Sequence, residues 1–283
     1  MKAVKDFYKE TPFNFTENLD FYVDKIKNTN QVLEYKDLHK LLRDRSRIFG
    51  TKKVKNIIEF GCGTGWLTNS ISYYYNKEIK GIDFTDKALK TAKGVSSKLN
   101  LSNKYESSDI FDYRDTNKYD LVVSLGVLHH TKNCKEAFKV ISRFVKPGGF
   151  LYVGLYHLYG RRPMLRFLKG HARWHGEMSA YNLFKKMRKE TDSDQHSYSW
   201  FRDQVLHPFE TQHTLIEVNE WLAQLNFILQ SSSINKYKPI KNYSLKHLED
   251  MEKQLESTSF KQNVENLSFN PGYFTICGRK LNE

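Results

Sequence analysis

The feature that most constrains this chain is an apolar run at 54–60 that breaks into alternating glycines, Gly61-Cys62-Gly63-Thr64-Gly65. Glycines at this spacing let a backbone turn sharply out of a strand. They also let it approach a ligand where any Cβ would collide. A dinucleotide fingerprint, G-x-G-x-x-G, would need a small residue at position 66, which is Trp66. A phosphate-binding P-loop would need a Lys after the glycines, and none follows them. An acidic residue, Glu59, precedes the loop, and neither motif calls for one.

The surrounding pattern alternates. Strand signals at 54–60, 78–84, 104–107, 119–125 and 150–156 are separated by helical ones at 67–75, 86–100 and 134–145, the last stopped by Pro147-Gly148-Gly149. Runs apolar on both faces, alternating with helices, imply a parallel sheet covered on both sides. Upstream, an aromatic stretch leads into a helix read through Leu33, Leu38, Leu41 and Leu42. Downstream of 157 the rhythm breaks, with a helix able to start at Pro163 and to put Met164, Phe167 and Leu168 on one face. Thr214-Leu215-Ile216-Glu217 is a capping box that opens a helix with Val218, Trp221, Leu222 and Leu225 on one face. Final strands at 227–234 and 272–277 enclose an amphipathic helix at 244–256 through Leu245, Leu248, Met251 and Leu255. The expected organisation is an N-terminal helical cap (1–50), a ligand-binding core (51–157), a basic, His-rich lid or acceptor-binding insertion (158–213) and a completion of the core sheet (214–283).

Composition narrows the class. With 39% hydrophobic and 14% aromatic residues the chain has material for a real core, which excludes wholesale disorder. No stretch approaches the ~18 uninterrupted apolar residues of a membrane span. The first residues lack a secretory signal, and the three cysteines, Cys62, Cys134 and Cys277, are too far apart for a zinc knuckle or a redox couple. A sparse, odd cysteine count suits a reducing compartment, so a cytoplasmic location is expected. The net charge of +13 invites an anionic partner. Lys-rich compositional drift accounts for part of it, but nine Lys or Arg against two Glu fall between Arg161 and Glu190.

Glu59-x-Gly61-x-Gly63-x-Gly65 resembles motif I of the class I S-adenosylmethionine-dependent methyltransferases. Asp83 ends the second strand about 20 residues beyond the loop, where a carboxylate can grip a ribose diol. Ser108-Asp109-Ile110, Tyr119-Asp120-Leu121-Val122-Val123-Ser124 and Lys146-Pro147-Gly148-Gly149 match later motifs in order and spacing. Gly126-Val127-Leu128-His129-His130 looks like the corresponding stretch of the ubiquinone/menaquinone-type small-molecule methyltransferases. Tyr8-x-x-x-Pro12-Phe13-Asn14, the segment 154–161 and Asp203-Gln204-x-x-His207-Pro208-x-Glu210-x-x-His213-Thr214 resemble a bacterial branch of that superfamily, from which Val205 departs by not being aromatic. The resemblance implies an α/β, Rossmann-like, seven-stranded mixed sheet with its last strand antiparallel, helices on both faces, an N-terminal helical cap and a lid inserted after strand five. It implies S-adenosyl-L-methionine as cofactor, bound by Glu59, Gly61, Cys62, Gly63, Gly65, Asp83, Phe84, Asp109, Ile110, Ser124 and Leu125.

The acceptor side is less determined. A base is needed only when the nucleophile carries a proton it must lose. His129 stands as base, as acceptor contact or as pocket wall. Asp203, His207, Glu210 and His213 have a spacing open to metal ligation, acceptor contact or loop anchoring, and Pro208 keeps them off one continuous helix. The expectation is catalysis by His129, His207 and Glu210, acceptor contacts from Tyr8, His130, Tyr156, Arg161 and His213, and no metal. The expected function is methylation of a small molecule on oxygen, nitrogen or carbon, the acceptor being anionic if the Arg161–Lys169 stretch clamps a phosphate or carboxylate. The alternatives are a methyltransferase of RNA or peptides, against which the lack of an appended RNA-binding module counts, and a cofactor-binding partner protein without transfer activity.

Overall fold

In the computed structural model, residues 2–43, 54–189, 193–238 and 244–282 are described. The strands are β1 (Ile57–Phe60), β2 (Ile79–Asp83), β3 (Lys104–Ser107), β4 (Tyr119–Leu125), β5 (Val145–Tyr156), β6 (Phe227–Ser232) and β7 (Tyr273–Lys280). They form one sheet in the order β3-β2-β1-β4-β5-β7-β6, with β7 antiparallel to both β5 and β6 and the other pairings parallel. This is the seven-stranded mixed sheet that the motifs imply. Helices α1 (Lys2–Glu10), α2 (Leu19–Asn28) and α3 (Lys36–Leu42) precede it, and α4 (Trp66–Tyr75), α5 (Asp86–Lys98) and α6 (Cys134–Ser142) connect its parallel strands. Between β5 and β6 come α7 (Leu158–His175), α8 (Glu177–Arg188), α9 (Asp194–Phe201) and α10 (Leu215–Gln224), and α11 (Leu245–Phe260) precedes β7.

Successive strand residues point to opposite faces, so a strand apolar throughout must be covered twice. Ile58, Val122 and Leu151 pack with Phe138, Ile141, Trp221 and Leu222 on one side. Their neighbours Ile57, Leu121 and Phe150 pack with Leu38, Leu42, Leu67 and Ile71 on the other. The helices after β5 have a core of their own, built from Met164, Leu168, Phe184, Met187 and Phe201.

Several local expectations are corrected. The N-terminal helix breaks at Tyr35, after a short 3-10 turn, Gln31–Glu34, which buries Val32 and leaves Leu33 exposed. Pro147-Gly148-Gly149 does not end a helix but lies inside β5. The β4–β5 register shifts between Tyr119 and Leu121, and Gly148 takes up a left-handed φ of +74° there. Helix α7 starts at Leu158, because His157 Nδ1 accepts from the Gly160 N–H and caps it (3.2 Å). Pro163 therefore sits inside the helix, where it forfeits one amide bond while Met164 and Leu168 are buried. The capping box at Thr214 is half made. The Glu217 N–H donates to Thr214 Oγ1 (3.1 Å), but the Glu217 carboxylate turns to His213 Nδ1 (3.0 Å). On α11 the exposed Leu245 is no core residue, and Glu252 is buried instead, against His157 Nε2 (2.8 Å) and the Leu215 amide.

Gly272 is where the end of the chain crosses the start of α7. Its φ is +64°, and a Cβ there would come within 2.3 Å of the Gly160 backbone. Its carbonyl accepts from the His157 N–H (2.7 Å), so the crossing cannot simply widen. Gly272→Ala should therefore destabilise the fold by about 2–4 kcal/mol in urea denaturation. No helix among the described residues is long and apolar enough to cross a membrane.

Candidate active site

The carboxyl ends of β1, β2 and β4 open into a cavity of about 640 Å³. Open α/β sheets place their ligands at this edge. The glycine loop forms one wall, with Gly61, Gly63 and Gly65 all at positive φ (+74°, +52° and +77°). A Cβ on Gly61 would lie 2.3 Å from Val127, and one on Gly65 2.7 Å from the Ala92 Cβ. The loop is braced by Asp83, whose Oδ2 accepts from the Gly63 N–H and whose Oδ1 accepts from the Thr85 N–H (both 2.8 Å). Each Asp83 oxygen retains a second lone pair, and the residue lines the cavity. Glu59 also lines it. Burial pushes the Glu59 carboxyl up to about 7, and the hydroxyl of Thr68 donates to it.

Of the residues expected around the cofactor, Glu59, Gly61, Cys62, Gly63, Asp83, Phe84, Asp109, Ile110 and Leu125 line the cavity. Gly65 and Ser124 do not. Gly65 turns the chain into α4 and packs on α5, and the Ser124 hydroxyl is committed to the Phe60 carbonyl (3.0 Å).

The far end of the cavity is built by other elements. The N-terminal segment contributes Val4, Tyr8, Pro12, Phe13 and Asn14. Asn14 Oδ1 accepts from the Trp200 indole N–H (3.0 Å), which fastens this segment to α9. Helix α9 runs on into a π turn, Arg202–Leu206, that brings Asp203 and Gln204 to the cavity. The Tyr8 hydroxyl donates to Asp203 Oδ1 (2.6 Å), and Gln204 Nε2 donates to Asp203 Oδ2 (2.9 Å) and to the Tyr156 hydroxyl (2.7 Å). Burial pushes the Asp203 carboxyl up. Gln204 was not singled out as a site residue, although it stands beside Asp203 in the motif that drew attention to this loop.

Two of the expected catalytic residues, His129 and Glu210, and two of the expected acceptor contacts, Arg161 and His213, do not line the cavity. Arg161 is fully buried, and all five of its N–H donors are used. Nε and Nη2 bind the Glu210 carboxylate (3.1 and 2.9 Å), Nη1 binds Gln204 Oε1 and the Pro271 carbonyl (2.9 and 3.2 Å), and Nη2 also binds the Gln204 carbonyl (2.8 Å). Its guanidinium stacks 3.6 Å from the Tyr156 ring centre. Arg161 and Glu210 are therefore an internal ion pair and not an open clamp or acid. Burial pushes the Glu210 carboxyl up, but the Arg161 hydrogen bonds and charge outweigh it and hold the carboxyl below its usual range. His213 joins the scaffold through Glu217 and through Thr211 Oγ1 (2.8 Å). His129 is sealed beneath Tyr156, with ring centres 3.9 Å apart, and neither of its ring nitrogens has a hydrogen-bond partner.

His130 does line the cavity, and its neighbour His207 stacks on it with ring centres 3.8 Å apart. One residue, Phe209, sets both rings through its carbonyl and its N–H. The Phe209 carbonyl can only accept, so His130 Nδ1 carries a proton and donates to it (3.0 Å). The Phe209 N–H can only donate, so His207 Nδ1 is bare and accepts from it (3.1 Å). Burial lowers both rings, His130 to about 4 and His207 to about 3, so both are neutral at neutral pH. His130 then carries a bare Nε2 and His207 an Nε2–H, both buried and neither with a hydrogen-bond partner, and His207 itself does not line the cavity. Among the described residues no group of three or more His, Cys, Asp or Glu is arranged to hold a metal ion.

Because Arg161 is fully buried, removing its partner charge is costly. Glu210→Gln should lower stability by about 3–5 kcal/mol in chemical denaturation. A Glu210→Gln protein of unchanged stability would show that the pair does not hold the loop.

A family profile described as a methyltransferase domain matches residues 51–205. Malonyl-[acyl-carrier protein] O-methyltransferase 2 of Ilyobacter polytropus is 33% identical over 132 residues, 45% of this chain and 49% of that protein. Ubiquinone biosynthesis O-methyltransferase of Nitrosomonas europaea is 30% identical over 158 residues, 48% of this chain and 63% of that protein. The chain thus matches only about half to under two thirds of the length of these relatives. Among solved structures, PKMT2 from Rickettsia typhi in complex with AdoHcy superposes with a TM-score of 0.59 at 14% identity, covering 86% of this chain and 52% of that one. Magnesium protoporphyrin IX methyltransferase from Synechocystis with bound SAM gives 0.53 at 12% identity, covering 99% and 96%. At these identities the superpositions establish the shared fold.

Proposed function

This chain belongs to the methyltransferase-domain family, and we propose that it transfers a methyl group from S-adenosyl-L-methionine to a small-molecule acceptor. The observation that carries the reading is one cavity holding both a glycine loop at positive φ, with no room for a Cβ at Gly61, and a buried polar cluster beside the N-terminal segment. When bound, the cofactor supplies an electrophilic methyl on a sulfonium. In this reading Gly61 and Gly63 let the backbone approach it, Asp83 takes the ribose hydroxyls on its remaining lone pairs, and Asp109, Ile110 and Phe84 enclose the base. Residues 51–157 form the cofactor-binding core, 158–213 the acceptor-side insertion and 1–50 the cap that shuts it, while 214–283 complete the sheet.

Tyr8, Tyr156, Asp203 and Gln204 orient the acceptor beside Leu125 and His130. For an acceptor that must lose a proton, such as a hydroxyl, His130 takes it on Nε2, because that nitrogen is kept bare by the Phe209 carbonyl. An anionic acceptor receives no help from Arg161, whose charge is already neutralised by Glu210. Enclosure under Tyr8, Phe13 and Trp200 favours a small acceptor over a polymer.

Asp83→Ala should weaken S-adenosylmethionine binding by about ten- to a thousandfold in calorimetry, since it removes charge-assisted bonds and the brace of the Gly63 amide. Unchanged affinity would remove the ribose assignment. Glu59 adds a pH signature. A carboxyl held up at about 7 is increasingly ionised as pH rises through that value, and its anion favours a cationic cofactor. Affinity should therefore rise with pH through about 7, and Glu59→Gln should flatten the profile. A screen of hydroxylated metabolites with methyl-labelled cofactor tests transfer itself. With a hydroxyl acceptor so found, His130→Ala should lower turnover by about a hundredfold or more while cofactor affinity stays within a few-fold. Equal turnover in that variant would remove the base.

A further inference from the structure

The basic segment noted in the sequence divides in two when folded. At the start of α7, Arg161 is buried and neutralised by Glu210, and on α8 Lys185 pairs with Asp194 (2.9 Å). Six of the others do not line the cavity. Arg188 is the exception and lines the cavity. Arg162, Arg166, Lys169 and Arg173 recur at i, i+4, i+7 and i+11, so they share one face of α7, opposite the buried Met164 and Leu168. Arg166, Lys169 and Arg173 are exposed, as are Lys186 on α8 and Lys189 just after it, and none of these has a carboxylate partner among the described residues. The two helices meet at Gly176 (φ +86°), and the tip of this hairpin carries two large apolar side chains in water, Trp174 at 81% exposure and Met178 at 64%. By helical rise the tip stands roughly 20 Å from Arg161.

We propose that the α7–α8 hairpin docks on an anionic lipid surface, with Trp174 and Met178 entering the headgroup boundary and the cationic face of α7 lying against the phosphates. An apolar tip flanked by unpaired arginine and lysine is what such a surface rewards, since the apolar side chains lose water contact and the cations gain counter-charge. A second copy of this chain is a poor occupant, because it would bring the same uncompensated positive charge against this one. RNA fits the charge but not the shape. Single-stranded RNA is gripped in basic grooves or sheet faces that stack bases in series, whereas here one indole and one thioether project from a convex tip.

The experiment is co-sedimentation of the full chain with vesicles of phosphatidylcholine plus phosphatidylglycerol, and with vesicles of phosphatidylcholine alone. Binding is expected to the anionic vesicles only, to weaken as salt is raised and to shift Trp174 fluorescence to the blue. Arg166→Glu combined with Arg173→Glu should lower affinity by about 25-fold or more, at roughly fivefold per cation. Trp174→Ala should lower it by about tenfold, with melting temperature and cofactor affinity unchanged. The proposal is overturned by absence of binding, by equal binding to uncharged vesicles, by indifference to both variants, by tighter binding to polyuridylic acid than to vesicles, or by a homodimer that Trp174→Ala dissolves. Because the readout is vesicle binding, its failure leaves the methyl-transfer reading untouched, and the reverse also holds.

Discussion

One buried guanidinium fastens together the parts that make the cavity. Arg161 belongs to the first turn of α7, yet it binds the π turn after α9 through both the side chain and the carbonyl of Gln204, the following loop through Glu210, and the approach to β7 through the Pro271 carbonyl. Its flat face lies on Tyr156, at the end of β5. Taking such a charge out of water is tolerable only if every donor is met and a counter-charge is present, and here both conditions hold. The same condition fixes the loop from His207 to His213. Glu210 cannot leave Arg161, so Phe209 is held where its carbonyl reaches His130 and its N–H reaches His207.

That dependence explains which features were legible in the sequence and which were not. The glycine loop, Asp83 and the strands were readable because their logic is local: a positive φ demands glycine, and a run apolar on both faces demands a covered sheet. Arg161 and Glu210 misled because a sequence shows charge but not burial, and 49 residues separate the partners. An arginine read as an open clamp was a sealed one. His129 and His130 differ by one position in a 3-10 turn, Leu128–His130, and no periodicity over three residues can say which ring faces the cavity. Pro147-Gly148-Gly149 misled for a related reason, since its turn chemistry served a register shift inside a strand.

The paired histidines illustrate how a scaffold can set proton inventory without charge. Rings stacked at 3.8 Å could not both be protonated in a buried site, and burial holds both well below the usual imidazole range. Neutrality alone would leave each tautomer free to exchange. A single residue, Phe209, removes that freedom, because its carbonyl and its N–H face different rings and make opposite demands on them. The result is an acceptor and a donor at fixed positions, independent of pH until the rings themselves titrate.

Helix α7 then has to satisfy two environments along its length. Its first turn lies in the protein interior, where an uncompensated cation would be intolerable, and there the sequence supplies Glu210 from a distant loop. Its last turns lie in water, where Arg166, Lys169 and Arg173 require no partner to be stable. Lack of a partner at the far end is therefore no defect of folding, and folding does not account for it. The exposed Trp174 at the same end is likewise unexplained by the core of α7–α9, which is complete without it. Cations that the fold neither buries nor pairs, on the face of α7 that leads to this apolar tip, point to a function at that surface. The insertion's core is separate from that of the sheet, so such a surface at its far end can vary without repacking the sheet.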